Sequence, residues 1–403
     1  MTTFDQLLNY VERSAAVRRI ASLQPSGGPG DKVFPPTYEK GQYATEKRRL
    51  AGKDVECVLL DSVQSQANRM ELALLRAWDA GRLPLPVIAV DFTDTGVRGV
   101  RRVTSLEAPH RLADAILRDS TVESKTFPDF LESRGFGDCG PANATVLFEL
   151  CPTALVFGMW DSTGRRGGLG VKFQRALVSE IVGVDAVVGR KTASRIDPLQ
   201  IQVKAGELYE GQDGTWTLDE KGAIKEKGKP KKLGKDGKPS EANHGNVTPT
   251  IADGGVTVGR VELTTTISLP VLRRLSFPAK DGTTDQKRDR TAQAALLALA
   301  LAGATLADEA GHDLRSRCHL WQPEPADWEV LGKPGSKPES FSLDRAAALA
   351  LMEEAAARLG KVGLAWSKRA EKELGSLVLK PQEKLVRLVK ASQALEVSVG
   401  EEA

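Results

Sequence analysis

Residues 55–79 read VECVLLDSVQSQANRMELALLRAWD, and the fold turns on how this stretch changes character. Val55, Cys57, Val58, Leu59 and Leu60 make a short, apolar, β-prone run, which predicts a buried strand. Asp61, Ser62, Gln64, Ser65, Gln66, Asn68 and Arg69 then place seven polar residues in nine positions. Beyond them Ala67, Met70, Leu74 and Trp78 recur at helical spacing, with Glu71 and Leu75 alongside. The polar patch therefore falls at a strand-to-helix junction. The first turn of a helix leaves backbone N–H groups unpaired, and its dipole favours an anion there. Hydroxyl, amide and guanidinium groups in that turn suit a phosphodiester backbone gripped without reading its sequence. A plainer role competes: Ser62 or Ser65 caps the helix and the amides satisfy the loop. A cap explains either serine alone better than binding does; the density of the whole patch favours binding.

Working outward, 403 residues allow one large domain or two or three smaller ones, and 41% hydrophobic content supports a sizeable core. A net charge of +3 is not that of a polycation, so a nucleic-acid site must be a local concentration of charge. Cys57, Cys139, Cys151 and Cys318 form no CxxC pair. With no secretory signal, they read as reduced thiols in a cytoplasmic protein. The apolar run Ala294–Leu306 is too short to span a bilayer, so no membrane partner is expected.

Upstream, the residues from Phe4 to Ile20 predict a helix, with Arg13, Arg18 and Arg19 toward its end, where cations suit the dipole. Arg18 and Arg19 are also phosphate-contact candidates, because the glycine-rich loop 24–31 follows them. That loop lacks the Gly-Lys-Ser/Thr of a Walker A motif. Phe34, Tyr38 and Tyr43 could stack on bases, although packing against a sheet is the ordinary fate of each.

The run RSAAVRRIASLQPSGGPGDKVFPPTYEKGQYATEKRRL at 13–50 and CVLLDSVQSQANRMELALLRAWDAGRLPLPVIAVDF at 57–92 resemble the Csb-one family. These are the Cas-seven-type backbone subunits of type I-G (formerly I-U) CRISPR interference complexes. The resemblance continues through GLGVKFQRALVSEIVGVDA at 168–186 and DRTAQAALLALALAGATLADEAGHDLRSRCHL at 289–320. It implies an α+β protein of the RAMP superfamily, with an RRM-like (ferredoxin-like) palm, inserted thumb and web segments, and C-terminal helices. It implies subunits that polymerise on CRISPR RNA, contact neighbouring copies and other subunits, and hold the spacer for pairing with target DNA. In the wider superfamily a Ser/Gln/Arg-rich patch after the first palm strand contacts the guide backbone. The matching positions are Ser62, Gln64, Ser65, Gln66, Asn68 and Arg69.

Further along, 83–92 predicts a second buried strand, 106–117 a helix, and 145–157 a short helix plus a strand around Pro152. The stretch 161–175, DSTGRRGGLGVKFQR, is the second strong feature. Arg165 and Arg166 sit among glycines that would let a polyanion approach the backbone. A strand over 171–182 would turn Lys172, Gln174 and Arg175 toward an exposed sheet face, the face on which RRM-like proteins bind RNA. A merely solvated hairpin face fits the same pattern. The absence of aromatic RNP-type residues suits a guide held by its phosphates with its bases outward.

The lysine-rich GAIKEKGKPKKLGKDGKP at 222–239 predicts a solvated or disordered loop, or a flexible arm near nucleic acid. Alternating segments 201–218 and 256–267 flank it like strands. The residues from Thr291 to His312 predict a buried helix, 314–320 a last palm strand carrying Arg315 and Arg317 on one face, and 343–359 and 380–396 terminal helices. The expected segments are 1–54, palm 55–190, thumb 191–268, palm 269–330 and a helical region 331–403.

Catalysis finds little support. His110, His244, His312 and His319 are scattered, and His312, Cys318 and His319 match no zinc spacing. No GxSxG elbow is present. Asp31 and Asp161 lie in glycine-rich loops, where related type III subunits carry a cleaving aspartate, yet nothing distinguishes them. No catalytic residue, metal or cofactor is expected. The competing reading is a RAMP-superfamily endoribonuclease that processes CRISPR repeat RNA.

Overall fold

The computed structural model describes residues 2–162, 170–370 and 373–402, with side chains to 395. Helix α1 (Phe4–Arg13) opens with a capping box. The Thr3 hydroxyl accepts the Gln6 N–H, and the Gln6 side chain accepts the Thr3 N–H. The helix ends at Ser14, not Ile20, and strand β1 (Ala16–Pro25) follows. From Ala16 burial alternates, with Val17, Arg19, Ala21 and Leu23 inside and Arg18, Ile20 and Ser22 outside. That period of two is a strand's, so Arg18 and Arg19 lie on opposite faces of a sheet.

A hairpin of β2 (Thr45–Leu50) and β3 (Lys53–Asp61) turns at Ala51 and Gly52, both at positive φ, as a tight two-residue turn requires. Helix α2 (Val63–Asp79) follows directly. Next come β4 (Ile88–Asp91), β5 (Arg102–Thr104), α3 (Ala115–Arg118), β6 (Ser120–Val122), β7 (Lys125–Thr126) and α4 (Phe127–Ser133). The helix predicted over 106–117 is mostly absent. Arg111 adopts φ 54°, which breaks a right-handed helix, and Asp114 caps a fresh start. Then follow α5 (Thr145–Leu150), α6 (Thr153–Phe157), β8 (Met159–Trp160), β9 (Lys172–Phe173) and the long β10 (Leu177–Arg195). Short strands β11 (Tyr209–Glu210), β12 (Trp216–Thr217), β13 (Lys225–Glu226) and β14 (Lys229–Pro230) lead to β15 (Val247–Ser268). The chain closes with α7 (Leu269–Arg273), α8 (Gln286–Glu309), β16 (His312–Arg315), β17 (Cys318–Trp321), β18 (Trp328–Leu331), β19 (Glu339–Phe341), α9 (Arg345–Gly360), β20 (Leu377–Pro381) and α10 (Glu383–Glu402). The single strand predicted over 314–320 is a hairpin, because Arg317 turns the chain at φ 62°.

The chain forms two units, 2–187 with 256–386, and 188–255 with 387–402. In the first, the main sheet runs β16-β17-β1-β15-β10-β3-β2, with β18 also paired to β1. Strand β1 is antiparallel to β15 on one side, with Arg18 opposite Thr266, and to β17 and β18 on the other. Val17 and Ile267 share one core with Met70 and Leu74 of α2 and with Leu299 of α8. Those two helices therefore cover one face of the sheet. Helix α8 is buried nearly all round, which explains its Ala/Leu composition. It is longer than the run 294–306 and is long and apolar enough to cross a membrane, but 89% of its most apolar window is buried in the protein. Gly303 faces α2: a Cβ there would meet Leu74 Cδ1 at 3.4 Å and Met70 Cβ at 3.6 Å. A second sheet runs β5-β4-β20-β6-β7, with β20 and β4 parallel.

In the second unit the lysine-rich stretch is folded rather than disordered, with its lysines at the surface as a solvated segment requires. β11 pairs with β12 and β13 with β14, around buried Leu208, Tyr209 and Ala223. Lys232 pairs with Glu207 at 2.7 Å, and Tyr209 donates to Glu207 and Glu220 at 3.1 Å. Acidic residues spaced through the segment thus take up part of its positive charge.

Candidate nucleic-acid interface

The junction between β3 and α2 does two jobs. Ser62 is the cap: its hydroxyl accepts the Ser65 N–H at 3.2 Å. Asp61 ends the strand inside the protein, where a bare carboxylate would be costly, and it draws in its neighbours. Gln66 Nε2 donates to Asp61 Oδ2 at 2.6 Å and Arg69 Nε donates to the same oxygen at 2.9 Å. Gln66 Oε1 also accepts from the Ser179 hydroxyl at 3.1 Å, and Ser179 lies 2.8 Å from the Thr265 hydroxyl. Gln66 is thereby buried in a network that pins α2 to β10 and β15. Arg69 spends its other nitrogens on the Asp313 and Leu314 carbonyls, at 3.1 and 2.8 Å. Gln64 and Asn68 remain exposed, four residues apart on one helix face, beside half-buried Ser62 and Ser65. The sequence patch is therefore split between an inner clasp and an outer polar stripe.

Through Arg69 the junction adjoins the β16–β17 hairpin, where cations and aromatics gather. Arg315, Arg317, His319 and Trp321 are exposed there. Arg317 Cζ sits 4.0 Å from the Phe34 ring centroid, and Lys32 Nζ lies 5.8 Å from the same centroid. Arg315 donates to the Pro35 carbonyl at 3.0 Å, and His319 Nδ1 is 3.1 Å from the Ser26 hydroxyl. The loop after β1 and this distant hairpin thus form one edge carrying positive charge, ring faces and hydroxyls. Sequence reading paired Arg315 with Arg317 and named Phe34 separately as a stacking candidate. It missed the grouping, since Arg315 and Pro35 are 280 residues apart.

Arg18 and Arg19 are both engaged. Arg18 pairs with Glu329 at 2.7 Å on the open sheet face and stays 38% exposed. Arg19 is buried beside the Asp308 carboxylate, 5.4 Å from the Trp328 centroid, and does not reach solvent as a phosphate contact would. Burial pushes the Asp308 carboxyl up to about 6 even with Arg19 against it. Burial, reinforced by Arg19 and Arg69, pushes His312 down to about 4.

The second sequence feature is also rearranged. Lys172 belongs to a separate two-stranded hairpin, β8–β9, not to one strand running through 182. Residues 174–176 break the pairing before β10, whose first outward side chains are the exposed Val178 and half-buried Glu180. Lys172, Gln174 and Arg175 are exposed as expected. Arg165 and Arg166 lie outside the described residues. The residue missed is Trp160, 49% exposed opposite Lys172, with Lys172 Nζ 4.8 Å from its ring centroid. A lone tryptophan before a glycine-rich loop gave no signal of exposure; the alternation Met159-Trp160 against Lys172-Phe173 would have.

Among the described residues no group of three or more His, Cys, Asp or Glu side chains is placed to hold a metal ion. Burial pushes the Cys318 thiol up to about 11, away from the thiolate a metal needs.

Residues 17–188 match a protein-family model described as CRISPR-associated protein GSU0053. Among solved structures, the chain is similar to one described as a CRISPR RNA-guided surveillance complex, pre-nicking. The two are 12% identical with a TM-score of 0.31, over 94% of this chain and 99% of that one. It is also similar to the crystal structure of Thermofilum pendens Csc2, at 11% identity and a TM-score of 0.27, over 89% of this chain and 80% of that one. No match was found among curated proteins.

Proposed function

We propose that this chain is a CRISPR RNA-binding backbone subunit of a type I-G surveillance complex in the cytoplasm. It polymerises along the guide's spacer and presents it to target DNA, without cutting either. The observation that carries this reading is the match of residues 17–188 to a CRISPR-associated family, over a span holding β1, the β2–β3 hairpin, α2 and the β8–β9 hairpin. Fold topology supports it. The order β17-β1-β15-β10, with α2 before β10 and α8 after β15, fits an RRM-like palm. The unit built on 188–255 then takes the place of the thumb.

The physical support is the outer stripe of Gln64 and Asn68 on α2 together with the edge of Arg315, Arg317, Lys32 and Phe34, which Arg69 ties to that helix through the Asp313 and Leu314 carbonyls. Point charges and hydrogen-bond donors hold phosphates without regard to sequence, which a subunit serving any spacer requires. A head-to-tail contact between copies whose rotation does not close a ring extends into a helical filament along the RNA. Mass photometry on complexes made with lengthened spacers tests this. Particle mass rises stepwise with spacer length if the subunit is a backbone. A constant mass refutes the filament and favours the repeat-processing endoribonuclease.

A further inference from the structure

Trp160 stands out as a large apolar ring that the fold could have buried and instead displays. Its hairpin is anchored from behind. Met159 and Phe173 point into the core, while their neighbours Trp160 and Lys172 point out together. At the hairpin's root Gly158 sits at φ 83°, and its carbonyl accepts from Arg111 Nη1 at 3.0 Å. Arg111 is itself buried and held by both carboxylate oxygens of Glu71 on α2, at 2.7 Å each. A Cβ on Gly158 would fall 2.8 Å from Arg175 Cγ, so the glycine also lets the exposed Arg175 pass close to the hairpin's root. The exposed indole is therefore on a mount fixed to the same helix as the junction, with Lys172 over its ring and Arg175 and Gln174 beside it in the chain.

An exposed ring on a rigid mount, flanked by cations, is the arrangement in which a nucleobase stacks while its phosphates meet positive charge. We propose that Trp160 is a base-stacking site for single-stranded RNA, with Lys172 and Arg175 contacting the flanking phosphates. This departs from the expectation that the protein holds RNA by phosphates alone, and it rests on the RNA-binding reading above.

The test uses full-length protein freed of co-purified RNA, and two fluorescent probes of equal charge: a decamer of adenylate and a decamer of abasic ribose phosphate. Wild type binds the adenylate decamer roughly tenfold more tightly than the abasic one. Trp160→Ala removes most of that difference while leaving abasic affinity unchanged, and Trp160→Phe keeps part of it. Lys172→Gln weakens both probes alike. If Trp160→Ala, folded by circular dichroism, retains the full difference, the stacking site is refuted and the ring faces a protein neighbour. If wild type binds neither probe, this inference and the RNA-binding reading both fail.

Discussion

The Arg111 guanidinium grips Glu71 through two parallel hydrogen bonds of 2.7 Å, and both side chains are buried. Arg111 takes a left-handed backbone conformation to do so, and its remaining reach goes to the Gly158 carbonyl. Burial pushes the Glu71 carboxyl up to about 7, while the Arg111 fork pulls it back. Removing Arg111 leaves Glu71 buried without its guanidinium partner, so the carboxyl must take up a proton or sit as an unpaired charge, and either state loses both hydrogen bonds. Arg111→Ala should therefore lower stability by about 3–5 kcal/mol. Replacing the pair together, Glu71→Leu with Arg111→Met, should recover most of that loss. Urea denaturation of the three proteins checks both statements. Equal losses for the single and double variants would mean that shape at the Gly158 root matters more than charge.

The split junction predicts two kinds of variant. Gln66→Ala with Arg69→Ala breaks the Asp61 clasp and should cost on the order of 2–4 kcal/mol of stability, together with RNA retention. Gln64→Ala with Asn68→Ala should leave the melting temperature unchanged and reduce only retention. Arg315→Ala with Arg317→Ala should reduce the salt slope of RNA binding by about 2, one unit for each phosphate no longer neutralised. Binding isotherms across a salt series decide it. An unchanged slope would remove the β16–β17 edge from the interface.

The Asp308–His312 neighbourhood makes a pH prediction with a definite sign. Asp308 titrates near 6 in the folded protein, above its unfolded value, so alone it would make stability fall as pH rises between about 4 and 6. His312 titrates near 4, below its unfolded value, so alone it would make stability fall as pH drops from about 6.5 to 4. Across about 4–6 the folded chain carries the proton on Asp308 and the unfolded chain carries it on His312, so the two contributions cancel. His312→Gln should unmask the Asp308 contribution: the variant should gain on the order of 2 kcal/mol relative to wild type as pH falls from 6 to 4. Melting temperature against pH for both proteins measures it. Parallel curves would show that the two groups do not oppose each other.

Asp31 lies in the exposed loop after β1, where its carboxylate accepts the Lys32 N–H at 2.8 Å. Asp161 follows the β8 strand, its own N–H donating to the Val171 carbonyl at 2.9 Å. Asp31→Ala and Asp161→Ala should leave bound RNA as intact as wild type does. Metal-dependent cleavage of a complementary RNA, abolished in either variant, would overturn the non-catalytic reading.

Much of the framework is visible in local pattern. The switch from β-prone run to helical spacing at Asp61 places β3 and α2, and the Ala/Leu density of 291–306 marks α8 as buried. Local pattern fails where partners are remote. Arg18 and Arg19 look like the end of a helix, because the Leu7–Val11 stripe runs toward them without a proline or glycine. Their true setting is fixed by Glu329 and Asp308, some 300 residues on. Gln66 and Arg69 read as surface groups because polarity in sequence does not reveal that Asp61 is buried between them. The lysines of 222–239 read as unstructured because their carboxylate partners, such as Glu207, lie outside the run.

The glycine at 303 sets a clearance. A methyl there would touch Leu74 without displacing it, and alanine would add helix propensity. Any longer side chain becomes a wedge between α8 and α2. Because α2 carries the Asp61 clasp near one end and Glu71 at mid-length, a wedge at Gly303 would tilt it as a lever. The junction and the Trp160 mount would then move together. Tolerance at this position should therefore be a threshold in side-chain size, met by alanine and exceeded by leucine.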